Sequence, residues 1–163
     1  VWGGFLLFRV VGIPVPLFRV SVNSAPIYFI VGDDLKIRTT MIKVLLVDDS
    51  SVFREALKKT LKVLPTLQIV GECKDGLEVL PFLKKNSVDV IFMDYEMKRI
   101  NGAKTTRLVK ENFPEIKIIG LSVCDDDFVK QAFIKNGADE FIIKHEFSIN
   151  KIATEINYYE STI

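Results

Sequence analysis

From Met41 onward the sequence is a fivefold repeat: a short apolar run, a polar residue that closes it, then a stretch of helical periodicity. Few folds accommodate that rhythm. Lys43–Val47 is the first run, nearly continuous in its apolar character, as expected for a strand buried on both faces of a parallel sheet. It ends in Asp48 and Asp49, after which Ser50 or Ser51 offers a helix N-cap. Phe53, Leu57, Leu61 and Leu64 recur at helical spacing, while Arg54, Lys58, Lys59 and Lys62 are expected to face elsewhere, and Pro65 marks the helix end. The unit then repeats with strand 68–72 and helix 76–85, strand 88–93 and helix 101–112, strand 117–121 and helix 126–135, and strand 140–143 and helix 148–159. Pro81, inside the second helix, is expected to kink it or shorten its first turn.

Five strand–helix units in about 120 residues imply an α/β fold, a doubly wound five-stranded parallel sheet with helices on both faces. Right-handed crossovers distribute the helices to the two sides. In such folds ligands bind beyond the carboxyl ends of the strands, where the strand order reverses.

Residues 1–40 do not share the rhythm. Val1–Gly32 holds 20 apolar residues of 32, no acid, and two bases, Arg9 and Arg19. Those bases, with Pro14 and Pro16 between them, break the uninterrupted apolar run of about 18 residues that a membrane-spanning helix needs. A signal peptide would want a basic start, and Ser24-Ala25 is only a faint cleavage site. The expectation is that the folded domain begins near Met41 and that residues 1–40 form an apolar leader outside it. The charge is balanced, with 22 Lys and Arg against 21 Asp and Glu, so no bulk field favours nucleic acid as a partner. Two distant cysteines, Cys73 and Cys124, form no disulfide framework and point to a reducing cytoplasm, and a single histidine, His145, excludes a His-rich zinc site.

The chemistry lies in the residues that close the strands. Asp48 and Asp49 come after the first, Asp94 after the third, Ser122 after the fourth and Lys144 after the fifth. The fold expectation brings these five side chains to one edge of the sheet. Three carboxylates in close quarters repel one another and raise each other's pKa, and a hard divalent cation such as Mg2+ relieves that repulsion. Cation, ammonium and hydroxyl together suit a transferring phosphoryl group, with one aspartate available as nucleophile.

This set, in this order at the ends of buried strands, resembles the receiver domain of bacterial two-component response regulators, the CheY-like family, whose fold is flavodoxin-like. The similarity runs from residue 42 to about 160. It implies that Asp94 is the phosphoacceptor, self-phosphorylating with slow autodephosphorylation. It implies that Asp49 binds Mg2+ directly, Asp48 through water or as a second acid, and Glu96 through its backbone carbonyl. Lys144 would pair with Asp94 and then with phosphate, Ser122 would move toward the phosphoryl group, and Phe141 stands at the aromatic switch position. The implied partners are a sensor histidine kinase or phosphotransfer protein, and a downstream target or dimer mate on the face of the fourth helix, fifth strand and fifth helix, with Tyr158 and Tyr159 as candidate contacts. No direct nucleic-acid or membrane contact is expected.

The sequence also departs from the family pattern. Lys98 stands where proline is usual, although Gly102 keeps the family's glycine, and His145 follows Lys144 where a cis proline is common. Glu96 and Cys124 occupy positions that tune phosphoryl lifetime. The chain ends at Ile163, so the expectation is a stand-alone receiver acting through protein contacts, or a regulator truncated before a DNA-binding domain. Rival readings are weaker. A haloacid-dehalogenase-type phosphatase wants Asp where Glu96 stands, and neither a Gly-rich dinucleotide loop nor a P-loop is present. A receiver-fold adaptor independent of phosphorylation conflicts with the intact acids, hydroxyl and lysine. Singly, Asp48 and Asp49 read as helix caps, Asp94 as a turn acid and Lys144 as a solvated lysine, while Ser122 reads equally as a hydroxyl switch or a helix cap and Phe141 equally as a switch or core. His145 reads as a surface residue, and both cysteines as buried or partly buried thiols.

Overall fold

Alternation along each strand assigns its residues to the two faces of the sheet. A computed structural model describes residues 41–148 and 150–152. In it the strands are β1 (Ile42–Val47), β2 (Leu67–Cys73), β3 (Val90–Asp94), β4 (Lys117–Ser122) and β5 (Glu140–Ile143), all parallel, in the order β2-β1-β3-β4-β5. The helices between them are α1 (Ser51–Leu61), α2 (Gly76–Leu83), α3 (Gly102–Asn112) and α4 (Asp127–Lys135), and a 3-10 turn, Lys144–Glu146, follows β5. Leu45, Val47, Ile91, Met93 and Ile118 face α2, α3 and α4, where Val79, Leu83, Ala103, Val109, Val129 and Phe133 complete one core layer. Val44, Leu46, Val90, Phe92, Ile119, Leu121 and Ile142 face the other way, against Leu57 and Leu61 of α1 and against Ile152. Each large side chain fully buried in these layers contributes about 1.5–3 kcal/mol, which is why the five runs are so uniformly apolar.

The doubly wound parallel sheet matches the sequence expectation, and the differences lie at element ends. Asp94 and Ser122 are the last residues of their strands rather than the first of the loops. Asn101 and Asp126 cap α3 and α4 through their side chains, to the Lys104 and Phe128 N–H groups, instead of starting the helices. Ser50 caps α1 through Phe53, and Lys62 closes it, so Leu64 lies beyond the helix. Helix α2 runs through Pro81 and stops at Leu83, two residues short of the expected end. Residues 88 and 89 precede β3, where the Asp89 carboxylate accepts the Lys43 N–H at 2.7 Å. Gly137, just after α4, sits at φ 93°, in the left-handed region that glycine enters without a side-chain clash. Asn150–Ile152 are helical, and the remainder of the expected last helix, with Tyr158 and Tyr159, lies outside the described residues, as do residues 1–40, where a leader is expected.

The reversal of strand order falls between β1 and β3, because the chain leaves β1 to build β2 on one side and returns to build β3 on the other. The carboxyl ends of those two central strands therefore border an open crevice.

Candidate functional site

Asp48 directly follows β1 and is fully buried. Its N–H donates to the Cys73 carbonyl at 3.1 Å, and its Oδ1 accepts the Ser50 N–H at 2.8 Å. Its Oδ2 accepts the Lys144 ammonium at 2.6 Å. Asp49, the next residue, is exposed and lines the crevice with Tyr95, Glu96, Met97, Lys98 and Asn101. Asp94 ends β3, buried, with its Oδ1 2.9 Å from Lys144 Nζ. One carboxylate oxygen from each of Asp48, Asp49 and Asp94 lies within 4.8 Å of the other two.

Lys144 reaches this cluster because the 3-10 turn at the end of β5 directs it back across the sheet edge. Its ammonium bridges Asp48 and Asp94 and lies 4.3 Å from the centroid of the Phe53 ring, a cation–π contact from α1. Among the described residues no peptide bond is cis, so Lys144–His145 is trans with histidine in place of proline. His145 is exposed, as expected.

Burial pushes the Asp94 carboxyl up to about 6, with the Lys144 hydrogen bond opposing and the charges of Asp48 and Asp49 reinforcing the rise. Burial alone would lower the Lys144 ammonium, but its bonds to Asp48 and Asp94 outweigh that and hold it above its ordinary value. With all three acids ionised, one ammonium leaves two negative charges uncompensated. An all-oxygen donor set carrying excess negative charge, with one acid open to solvent, fits a hard divalent cation such as Mg2+.

Ser122 ends β4 beside β3, buried, its Oγ accepting the Cys124 N–H at 3.2 Å. Phe141 of β5 lies inside the core, its ring 5.9 Å from that of Phe133 on α4. Asp48, Asp49, Asp94 and Lys144 are thus brought together, Glu96 borders the same crevice, Ser122 flanks it, and Phe141 stands one layer below.

The loop from Tyr95 to Asn101 is anchored at several points. Tyr95 N–H donates to the Leu121 carbonyl at 2.8 Å, and Gly102 N–H to the Tyr95 carbonyl at 2.9 Å. A Cβ at Gly102 would sit 2.0 Å from the Asp94 carbonyl oxygen, so only glycine lets α3 approach β3 this closely. Asp75, the buried N-cap of α2, accepts the Leu77 and Arg99 N–H groups at 3.0 and 2.9 Å, and its other contact is the Arg99 guanidinium at 3.3 Å.

Three side-chain expectations are corrected. Arg54 is buried rather than turned outward with the lysines: its Nη1 donates to the Asp48 carbonyl at 2.5 Å and its Nε to Glu72 at 2.8 Å. Lys58, expected on a solvated face, is half-buried and paired with Glu55 and Glu72. Cys124 is exposed, whereas Cys73 is buried, its thiol pushed up to about 12 by desolvation. Arg54 is legible in principle, because it falls in phase with Leu57 and Leu61 on the inward stripe of α1. The Asp75–Arg99 link carries no such signal, since the two residues are 24 apart in sequence.

The chain is 30% identical over 109 residues to the transcriptional regulatory protein DegU of Brevibacillus brevis, covering 67% of this chain and 46% of that protein. It is 34% identical over 111 residues to a protein-glutamate methylesterase/protein-glutamine glutaminase of Pyrococcus horikoshii, covering 67% of this chain and 30% of the other. The chain therefore spans less than half of the length of these two curated relatives. Among solved structures it is similar to the response regulator domain of Thermotoga maritima CheB, at 30% identity and a TM-score of 0.62 over 73% of this chain and 92% of that one. It is also similar to the signal receiver domain of NarL from Mycobacterium tuberculosis, at 25% identity and a TM-score of 0.66 over 71% and 95%. The response regulator receiver domain family matches residues 44–157, the span that holds the acids of the crevice and Lys144, and the chain belongs to that family.

Proposed function

We propose that this receiver is the phosphorylatable element of a two-component pathway. Asp94 accepts a phosphoryl group from a phosphohistidine on a sensor kinase or phosphotransfer protein. In that step an Asp94 carboxylate oxygen bonds to phosphorus as the P–N bond breaks, and the departing imidazole takes up a proton. The observation that supports this most directly is the Lys144 ammonium bridging the buried Asp48 and Asp94 beside the open Asp49. Lys144 holds the nucleophile in place and is positioned to exchange that carboxylate for phosphoryl oxygen once the acyl phosphate forms. Asp49 and Asp94, the backbone carbonyl of Glu96, and Asp48 through water would hold Mg2+, which when bound neutralises charge on the transferring group. Ser122 would donate to a phosphoryl oxygen, with Phe141 below it sensing the displacement. The output face is then α4, β5 and the helical residues Asn150–Ile152, and the exposed Phe128 and Val123 near the start of α4 supply apolar surface to it.

The test is the intact mass after incubation with acetyl phosphate and Mg2+, for the wild type and Asp94→Asn. The expected result is one phosphoryl adduct that requires Mg2+ and is absent from Asp94→Asn. A folded wild type that acquires no adduct, from acetyl phosphate or from a phosphorylated donor, would sink the proposal and favour a phosphorylation-independent interaction module. Glu96 lines the crevice together with Asp49, which clusters with Asp94, so Glu96→Asn is expected to change the adduct's lifetime by several-fold or more. Equal decay rates would show that the acid has no part in it.

A further inference from the structure

Arg54 is a buried cation with no place in the phosphoryl step. A leucine in phase with Leu57 and Leu61 would fill the same position on α1 without the desolvation that a buried guanidinium incurs. Its two hydrogen bonds show what the arginine does instead. Nη1 donates to the carbonyl of Asp48, and Nε to Glu72 on β2, whose other oxygen is held by Lys58 at 2.8 Å.

The Asp48 carbonyl belongs to the peptide unit that joins Asp48 to Asp49. Fixing that oxygen fixes the peptide plane, and with it the place of the Asp49 N and Cα from which its side chain departs. Asp48 itself is held at every other polar group: N–H by Cys73, Oδ1 by Ser50 and Oδ2 by Lys144. The Asp49 carboxylate, by contrast, makes no hydrogen bond or ion pair among the described residues. Its reach is therefore limited by its backbone placement and its own rotamer, and the side chain that holds the preceding carbonyl is Arg54.

We propose that Arg54, anchored by Glu72, is a positioning residue for the divalent-cation site. It orients the Asp48–Asp49 peptide so that Asp49 presents its carboxylate to an ion shared with Asp94. The inference rests on the reading of the acid cluster as a Mg2+ site. Its reach is specific, because it concerns cation affinity and leaves the nucleophile Asp94, on another strand, untouched.

Calorimetric titration of the full chain with MgCl2 tests it, using Arg54→Met, Arg54→Lys and Glu72→Gln, with Lys59→Met on the exposed side of α1 as control. Partners that orient metal ligands are typically worth about 10–100-fold in affinity, so Arg54→Met should weaken Mg2+ binding by about tenfold or more. Arg54→Lys should recover part of the loss, since an ammonium can still donate to the Asp48 carbonyl. Glu72→Gln should lose about threefold, having weakened the anchor and kept the arginine. Lys59→Met should match the wild type, and Arg54→Met should still take up a phosphoryl group at saturating Mg2+. A folded Arg54→Met that binds Mg2+ within about twofold of the wild type overturns the proposal. Should Arg54→Met fail to fold, Glu72→Gln decides it, and wild-type affinity in that variant overturns it equally. A wild type that neither binds Mg2+ nor accepts phosphoryl would overturn the proposed function and this inference together. A wild type that does both, matched by Arg54→Met, overturns this inference alone.

Discussion

Asp94 is where burial and charge act on one side chain, and its pH dependence follows from their sum. A carboxyl that titrates at about 6 in the folded chain, against an ordinary 3.8, binds more protons folded than unfolded between those values. Folding stability contributed by this group is therefore full below about pH 4 and declines as pH rises through about 6. The expected loss at pH 7 is about 3 kcal/mol in metal-free protein. Asp94→Asn removes the titration, so the variant should match the wild type near pH 4 and exceed it in denaturant unfolding at pH 7. A difference that stays flat across that range would show that the buried anion carries no such penalty. The two thiols make an independent residue-scale test. Cys124 is exposed and Cys73 is buried with its thiol held far from ionisation, so iodoacetamide should label Cys124 alone until the chain is unfolded. Labelling of Cys73 at the same rate would contradict its burial at the end of β2. The acids, Ser122 and Lys144 are readable from sequence because each terminates an apolar run. Arg54 escapes that reading because a charged residue on a helix is ordinarily solvated, and only the Asp48 carbonyl and Glu72 make its burial tolerable.

The loop that leaves β3 works as an element only because α3 starts hard against it. Gly102→Ala would drive a methyl group to 2.0 Å from the Asp94 carbonyl, so α3 must shift away from β3. The expected loss is about 1–3 kcal/mol, as for other overpacked sites, and phosphoryl uptake should fall with it because Asp94 moves too. Unchanged stability in Gly102→Ala would place α3 farther from β3 than the structure does. Asp75 ties the start of α2 to the same loop through the Arg99 N–H. Asp75→Ala removes both the cap of α2 and that tie, and should lower stability by about 1–2 kcal/mol in thermal or denaturant unfolding. The existence and type of α1 to α4 are legible, and so is the Ser50 cap, whereas Asn101 and Asp126 read as first helical residues because a cap differs from a first-turn residue only in its backbone geometry. The ends of β3 and β4 are not legible. Asp94 and Ser122 are polar by composition yet paired by backbone, and strand pairing depends on the neighbouring strand rather than on the side chain.

At the scale of the whole domain, the crevice joins three strands into one charged site, and its filling should stabilise the fold. If the acid cluster takes Mg2+ as proposed, the ion would bind the folded site and not the dispersed acids of the unfolded chain, and a concentration 100 times the dissociation constant should add about 2.7 kcal/mol. The melting temperature of the wild type should rise with MgCl2 at pH 7, and that of Asp49→Asn much less. Equal responses would mean that the ion binds elsewhere. Short-range pattern is enough to specify the class of fold and the positions of the chemistry along it. Continuous apolar runs can be satisfied only inside a sheet covered on both faces, and the polar residues that close those runs must emerge at its carboxyl edge. Which of those residues meet depends on how the strands are ordered. Asp48 and Lys144 are 96 residues apart, and only the strand order β2-β1-β3-β4-β5 with the turn after β5 brings them to 2.6 Å. The same holds for the inward turn of Arg54, which local periodicity permits and only the carbonyl of Asp48 and the carboxylate of Glu72 reward. Local patterns are written in neighbouring residues. Compensation of buried charge is written in contacts between distant ones, and those come into being only when the chain closes on itself.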